Sequence, residues 1–221
     1  MSHDPRRSVH ALVQIADPVA LIWEEGQPQW AQAALLRTPW VVIRRETPRP
    51  GLLPVGVRGA TRAQRCAAWL PEHAVREVIA PEMLAARIPE ACRRPDNCSP
   101  ARLALDDVKP ILESVGWGRQ WGPVGGVGFE LASGARCTTV GSDLDLIIRA
   151  DVRIALDIAI SVYRRLSALS VRVDALIETY RGAVALTDYV TTRGSFMLRS
   201  AEGPALVEDP WHVAQVGIRS A

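Results

Sequence analysis

Two aspartates one residue apart stand in the run Ser142-Asp143-Leu144-Asp145-Leu146-Ile147-Ile148. Leu144, Leu146 and Ile148 alternate, so a strand here turns them into the core and both aspartates to the opposite face. At about 3.3 Å rise per residue the two α-carbons lie roughly 6 to 7 Å apart. Like charges at that range repel unless a cation sits between them. Mg²⁺ suits the position, because it prefers carboxylates, water and substrate phosphates and can clamp the attacking and leaving oxygens of a phosphoryl-type displacement. One predicted helix later, Val171-Arg172-Val173-Asp174-Ala175-Leu176-Ile177 repeats the alternation and puts Asp174 on the face opposite its valines. A bare D-x-D is also what a solvated strand edge carries; the second strand distinguishes this one. If the two strands are neighbours, Asp143, Asp145 and Asp174 form one catalytic and metal-binding cluster, with Asp174 either the acceptor of the attacking hydroxyl's proton or a further metal ligand.

Groups that could hold phosphate lie upstream. Trp121-Gly122-Pro123-Val124-Gly125-Gly126-Val127-Gly128 reads as glycine-rich turns through which backbone amides can approach an anion, with Gly125 and Gly126 the candidate contacts. It has neither P-loop nor dinucleotide-fingerprint spacing. Arg58, Arg62 and Arg65 follow a Pro-Val-Gly-Val segment, with Thr61 the expected cap of a helix carrying Arg62 and Arg65; a solvated helix face is the plainer reading of the same charges. Ser142, directly before the aspartate pair, and Arg149, at the end of its strand, complete the candidate substrate contacts. Of the seven tryptophans, Trp117 and Trp121 lie nearest the glycine segment and are the ones that stacking on a base would use.

These residues need a sheet to hold them. Leu144 to Arg149 is expected to be one strand, Val152 to Leu169 a long amphipathic helix and Val171 to Ile177 a second strand, preceded by a helix over Leu105 to Val115 that Gly116 stops. Nearer the N-terminus, Val19 to Trp23, Trp40 to Arg44 and Pro54 to Arg58 read as strands, with a helix over Gln29 to Leu36. The segment IPEACRRPDNCSPAR concentrates helix breakers between Ile88 and Arg102 and predicts a domain boundary. The expected fold is α/β (α+β) in two small domains. Residues 1–92 form an α/β substrate- or partner-binding domain, and residues 93–221 a catalytic mixed sheet flanked by helices.

Composition narrows the partners. Apolar residues at 48% and charged residues at 23% predict a folded, water-exposed globule rather than a disordered chain. A net charge of +2 is too small to hold a long polyanion, which argues against nucleic acid. Lys109 is the single lysine, so phosphate recognition would rest on arginine forks. No signal peptide and no apolar run of membrane length is apparent, so the expectation is a cytoplasmic protein without a membrane partner. Four irregularly spaced cysteines and four scattered histidines predict free thiols rather than a zinc site.

A glycine pair, then D-h-D on a strand, then an acidic residue on a later strand is similar to the nucleotidyltransferase superfamily. WGPVGGVGFELASG at 121–134 and SDLDL at 142–146, with PVGVRGATRAQR at 54–65 ahead of them, more closely resemble the phosphoribosyl-dephospho-CoA transferases, the holo-acyl-carrier-protein synthases of malonate decarboxylase. The likeness spans most of the chain. It implies a nucleotidyltransferase-like C-terminal domain, and transfer of a phosphoribosyl-dephospho-CoA group from 2′-(5″-triphosphoribosyl)-3′-dephospho-CoA to a serine of the apo acyl carrier protein subunit, with loss of pyrophosphate. It also implies that Asp143 and Asp145 are the family's aspartate pair and Gly125-Gly126 its glycine motif. Gly126 stands where the wider superfamily often has serine, and the interval to Asp143 is long. Two other readings are a Mg²⁺-dependent nucleotidyltransferase acting on a different hydroxyl, and a non-catalytic nucleotide-binding module; retention of a mutually repelling aspartate pair argues against the second.

Overall fold

A computed structural model describes residues 8–86 and 98–212. Two sheets organise them. The first is antiparallel, built from β1 (Leu12–Ile15), β2 (Trp40–Ile43), β3 (Leu52–Arg58), β4 (Arg65–Pro71) and β5 (Val75–Ile79) in the order β4-β3-β2-β1-β5, with helix α1 (Gln29–Arg37) between β1 and β2. Alternation in β3 sends Leu53, Val55 and Val57 inward, where they join Val13, Ile15, Val41, Ile43 and Leu35 of α1 in one core. Each such side chain contributes about 1.5–3 kcal/mol by leaving water.

The second sheet is mixed, in the order β11-β10-β9-β8-β7-β6. Its strands are β6 (Trp121–Pro123), β7 (Leu144–Arg149), β8 (Val173–Thr179), β9 (Gly182–Ala185), β10 (Phe196–Ser200) and β11 (Gly203–Val207). Only β7 and β8 run parallel, and the helix Leu156–Ser167 is the crossover that parallel neighbours require. Leu144, Leu146, Ile148 and Ile177 pack against Val162 and Leu166 of that crossover helix and against Val108 and Leu112 of the helix Leu105–Glu113. In chain order the helices after α1 are α2 (Pro81–Ala86), α3 (Pro100–Leu103), α4 (Leu105–Glu113), α5 (Gly125–Ser133), α6 (Leu156–Ser167) and α7 (Leu186–Thr191).

The two remaining sheet faces look toward each other. Register places Asp145, Ile147 and Arg149 of β7 beside Asp174, Leu176 and Glu178 of β8, in one layer with Ala185 and Ala183 of β9. On the opposite wall Leu12, Val42, Gly56 and Ala67 lie in register across four strands. A small apolar cluster of Leu12, Trp40, Ile79, Leu84 and Phe129 joins the halves. At the Arg149–Glu178 end the walls are tied by charge. Arg45 grips Glu178 through both guanidinium nitrogens, with the two side chains only 16% and 10% exposed. Arg149 donates to Glu82 at 2.7 Å, Ser8 Oγ at 2.5 Å and the Val9 carbonyl at 3.1 Å.

Several local expectations are corrected. Val19 to Trp23 is not a strand: Asp17 accepts from the Val19 N–H at 2.9 Å and caps a 3₁₀ turn over Pro18–Ala20, leaving Ile22 a lone bridge to Trp69. Thr61 caps no helix. Gln64 Oε1 accepts from the Ala60 and Thr61 N–H groups, folding residues 60–64 into the hairpin turn between β3 and β4, so Arg65 opens a strand. The glycine-rich stretch is the strand β6 running into the helix α5 rather than plain turns. The crossover helix is shorter than its apolar pattern, beginning at Leu156. The expected boundary at 92/93 lies outside the described residues; α2, before it, already packs on β6, where the Pro81 carbonyl fills the space a side chain on Gly122 would need. No helix among the described residues is long and apolar enough to cross a membrane.

Candidate active site

Asp145 and Asp174 are direct register partners on the parallel pair β7 and β8. Asp143 precedes β7 by one residue, and its charge, like that of Asp174, acts on Asp145. Burial pushes the Asp145 carboxyl above the ordinary aspartate value; Asp174 and then Asp143 add to the rise, while Arg62 and Arg65 oppose it. The three aspartates therefore share one electrostatic neighbourhood. Asp174 is half-exposed, and its Oδ1 accepts from Arg172 Nε at 3.2 Å. Arg172 directly precedes β8 and stands two residues before Asp174, a spacing that in extended chain puts both on the same face.

The glycine pair is built into this arrangement. The Val124 N–H donates to the Asp145 carbonyl at 2.9 Å, stitching the junction of β6 and α5 to β7. Gly125 then turns into the helix at φ +59°, and a Cβ there would lie 1.9 Å from Asp145 Oδ2. Only glycine accommodates both the left-handed backbone and the carboxylate. Among the described residues no side chain caps α5, leaving its first-turn amides without a side-chain partner at the end where a helix favours anions. A Cβ on Gly126 would lie 3.7 Å from an Arg58 guanidinium nitrogen and 3.0 Å from the Thr138 methyl.

Arg58 and Arg65 are register partners at the hairpin end of β3 and β4, and Arg58 also lies 5.6 Å above the Phe129 ring. Burial and the charges of Arg58 and Arg62 pull the Arg65 guanidinium below its usual value. Among the described residues none of the three forms an ion pair with a carboxylate. A group of mutually repelling arginines held opposite an acidic cluster has the electrostatics of a polyphosphate site. Between the walls lies a cleft of about 910 Å³ lined by Arg58, Arg65, Gly125, Asp145 and Asp174, among others.

Not every candidate arrives here. Arg149 stands at the far end of β7, four residues or about 13 Å along the strand from Asp145, and is spent on Glu82 and the Ser8–Val9 segment. Ser142 closes a turn with Thr139, its Oγ accepting from the Thr139 N–H at 2.9 Å, and so sets the approach to Asp143. Trp121 is buried in the core, Trp117 packs against it, and no tryptophan lines the cleft. Glu130 of α5 has no forewarning in sequence. Buried, it accepts from the Cys137 N–H at 2.9 Å, the Thr138 N–H at 3.2 Å and Thr138 Oγ1 at 2.5 Å, anchoring the long passage from the glycines to Asp143.

Among the described residues no three Asp, Glu, His or Cys side chains converge as a ready-made metal cage. Mg²⁺ does not require one, since it binds through one or two carboxylates completed by water and substrate phosphates. The donor set at Asp143 and Asp145, raised in energy by mutual repulsion, fits that pattern.

Two family models together cover most of the chain. The phosphoribosyl-dephospho-CoA transferase MdcG N-terminal domain matches residues 8–81 and the corresponding C-terminal domain residues 87–210. Proteins named phosphoribosyl-dephospho-CoA transferase are similar over nearly their full length. The one from Azotobacter vinelandii is 36% identical over 92% of this chain and 98% of its own. That from Pseudomonas aeruginosa is 37% identical over 87% and 89%, and that from Pseudomonas syringae pv. tomato 39% identical over 87% and 88%. No solved structure matches.

Proposed function

The chain belongs to the phosphoribosyl-dephospho-CoA transferase family and is an enzyme of the transferase class, and from that premise we propose that it joins the phosphoribosyl-dephospho-CoA group to a serine of the apo acyl carrier protein of malonate decarboxylase. The donor is the 5″-triphosphate, 2′-(5″-triphosphoribosyl)-3′-dephospho-CoA. The serine oxygen forms a bond to the α-phosphorus, the bond from that phosphorus to the β-phosphate bridge breaks, pyrophosphate leaves, and the serine proton passes to a carboxylate. The observation that carries the reading is the cleft itself. Acidic residues on one wall face arginines on the other without pairing, across a space large enough for a nucleotide.

Phosphoryl-type transfer asks for alignment and charge neutralisation more than covalent help. Arg58, Arg62 and Arg65 hold the triphosphate from the N-terminal wall. The first-turn amides of α5 at Gly125 and Gly126 receive a phosphate oxygen. Asp143 and Asp145 would hold Mg²⁺, which supplies charge neutralisation to the phosphates when bound. Asp174 accepts the serine proton or completes the ion's ligands; Arg172 holds one of its oxygens and orients the other.

Incubating the full chain with donor, Mg²⁺ and apo carrier should raise the carrier's mass by one prosthetic group and release an equal amount of pyrophosphate. An unchanged carrier mass at saturating donor would overturn the reading. Incorporation of label from a plain nucleoside triphosphate would point instead to a different acceptor chemistry.

A further inference from the structure

The cleft over the carboxylates does not end at them. It continues into a second cavity of about 550 Å³, and the two share His10, Val42, Arg44, Leu176 and Arg199 as lining. Among the described residues no carboxylate lines this extension. Of its three arginines, Arg45 is committed to Glu178, and Arg44 to the Val55 carbonyl at 3.1 Å and Glu46 at 3.4 Å. The Arg199 guanidinium has no hydrogen-bond or ion-pair partner among the described residues. The remaining walls are mainly apolar, with Val42, Ile43, Leu176 and Pro204 prominent.

Register fixes where this guanidinium stands relative to the chemistry. Arg199 pairs with Ala183, Ala183 with Glu178, and Asp174 lies four residues back along β8. That is about 13 Å along the strand and about 10 Å across two strand spacings, so roughly 16 Å in the plane of the sheet. A triphosphate seated at Arg58, Arg62 and Arg65 beside Asp145 lies at the other end of that separation, so a second anionic group further along the same ligand is the part suited to Arg199. His10, held at φ +69° by its N–H bond to the Ile43 carbonyl, adds no charge. Burial and the charges of Arg45, Arg149 and Arg199 push its imidazole down to about 4, against the pull of Glu178, so it is neutral at pH 7.

Resting on the donor class proposed above, we propose that Arg199 is the specificity-determining residue for the dephospho-CoA half of the donor. It binds the 5′-diphosphate, two ribose units removed from the reacting triphosphate. The uncharged pantetheine arm then lies along the apolar walls of the extension. The enzyme thereby selects a ligand with two separated phosphate clusters over a plain nucleoside triphosphate.

The experiment uses the full chain with Arg199→Ala and Arg199→Lys, each checked by thermal melting. Arg199 is exposed on its strand, so neither should change the fold. Transfer kinetics with the triphosphoribosyl donor are expected to show KM raised about ten- to a hundredfold in Arg199→Ala, the loss of one charge-assisted contact, with kcat within twofold and partial recovery in Arg199→Lys. Calorimetry with 3′-dephospho-CoA should show a parallel loss of affinity, and with ATP no change beyond twofold. An unchanged donor KM and 3′-dephospho-CoA affinity, an equal loss for ATP, or no binding of 3′-dephospho-CoA by the unsubstituted enzyme each overturns the assignment. Absence of transfer by the unsubstituted enzyme would overturn the function proposed above instead, and the calorimetric comparison would still decide the subsite.

Discussion

Replacing Gly125 by alanine tests the geometry at its tightest point. The added Cβ would lie 1.9 Å from Asp145 Oδ2. Carbon and oxygen without a bond do not approach closer than about 3 Å, so the carboxylate must retreat by about 1 Å. The backbone also resists, because φ +59° lies in the left-handed region, where a non-glycine residue costs about 1–2 kcal/mol. For a chain of this size that corresponds to a fall in Tm of roughly 2–8 °C. A catalytic group misplaced by about 1 Å loses on the order of a hundredfold in rate, or about 2.7 kcal/mol of transition-state stabilisation. Gly126→Ala is the internal control: its Cβ would press only on the Thr138 methyl, at 3.0 Å, with the Arg58 guanidinium at an ordinary 3.7 Å, and its φ is not positive. Pyrophosphate release at saturating donor and Mg²⁺, measured beside thermal melts, should show kcat reduced about a hundredfold in Gly125→Ala and less than about threefold in Gly126→Ala. Equal losses in the two variants, or a Gly125→Ala enzyme within threefold of the parent, would refute the claim that Gly125 makes room for the carboxylate.

Other perturbations separate function from cement. Asp145 titrates above the ordinary aspartate value in the folded protein, so the native state binds more protons than the unfolded chain between the two values, and stability declines as pH rises through that window. Asp145→Asn should therefore melt at the same or a higher temperature at pH 7 while losing more than about a hundredfold in turnover; a marked drop in Tm would mark the carboxylate as structural. In the unsubstituted enzyme, Mg²⁺-dependent donor binding should weaken on acidification at a higher pH than an exposed aspartate would require, as titration calorimetry across pH can show. Arg45→Ala leaves Glu178 buried without its partner and should cost about 3–5 kcal/mol in urea unfolding, much of it regained when Glu178→Leu is added. Arg149→Met should likewise lower stability but leave donor KM within about threefold, as measured by transfer kinetics; a large rise in KM would return Arg149 to the substrate.

The acidic wall was legible because strand periodicity is local information. Leu144, Leu146 and Ile148 alternate with Asp143 and Asp145, and Val173 with Asp174, so facing could be read residue by residue. Whether β7 and β8 are neighbours stayed open in the sequence, although the long helix between them is the ordinary connection of a parallel pair; the register settles it. The opposite wall was harder. Arg62 and Arg65 look like a helix start because Thr61 is a good cap, yet Gln64 turns its side chain back on Ala60 and Thr61 and makes a hairpin of the same residues. Short strands such as Leu12–Ile15 and Val75–Ile79 offer too few residues for a period to stand out. Arg149 was placed at the site by nearness in sequence, but a strand carries its two ends to opposite sides of a domain. Glu130 could not be found at all, since nothing local distinguishes a carboxylate that will hold a distant loop from one that will face solvent.

The two ends of the interdomain cleft put the same kinds of residue to opposite use. At the Arg149 end the charges that tie the walls are paired: Arg45 meets Glu178, and Arg149 meets Glu82, with little exposure to water. At the Asp145 end aspartates and arginines face one another close enough to influence each other's protonation, yet Arg58, Arg62 and Arg65 pair with none of them. Were that end merely another clasp, the arginines would close on Asp145, because a largely buried carboxylate left without a partner is costly. Its charges are kept apart by backbone, by the strand register that sets Asp145 beside Asp174 and by the missing side chain at Gly125. What relieves such an arrangement is a guest carrying both signs, negative phosphate toward the arginines and a cation toward the aspartates. The cement at one end holds the walls at a fixed separation, and the unrelieved charge at the other is available for binding and chemistry.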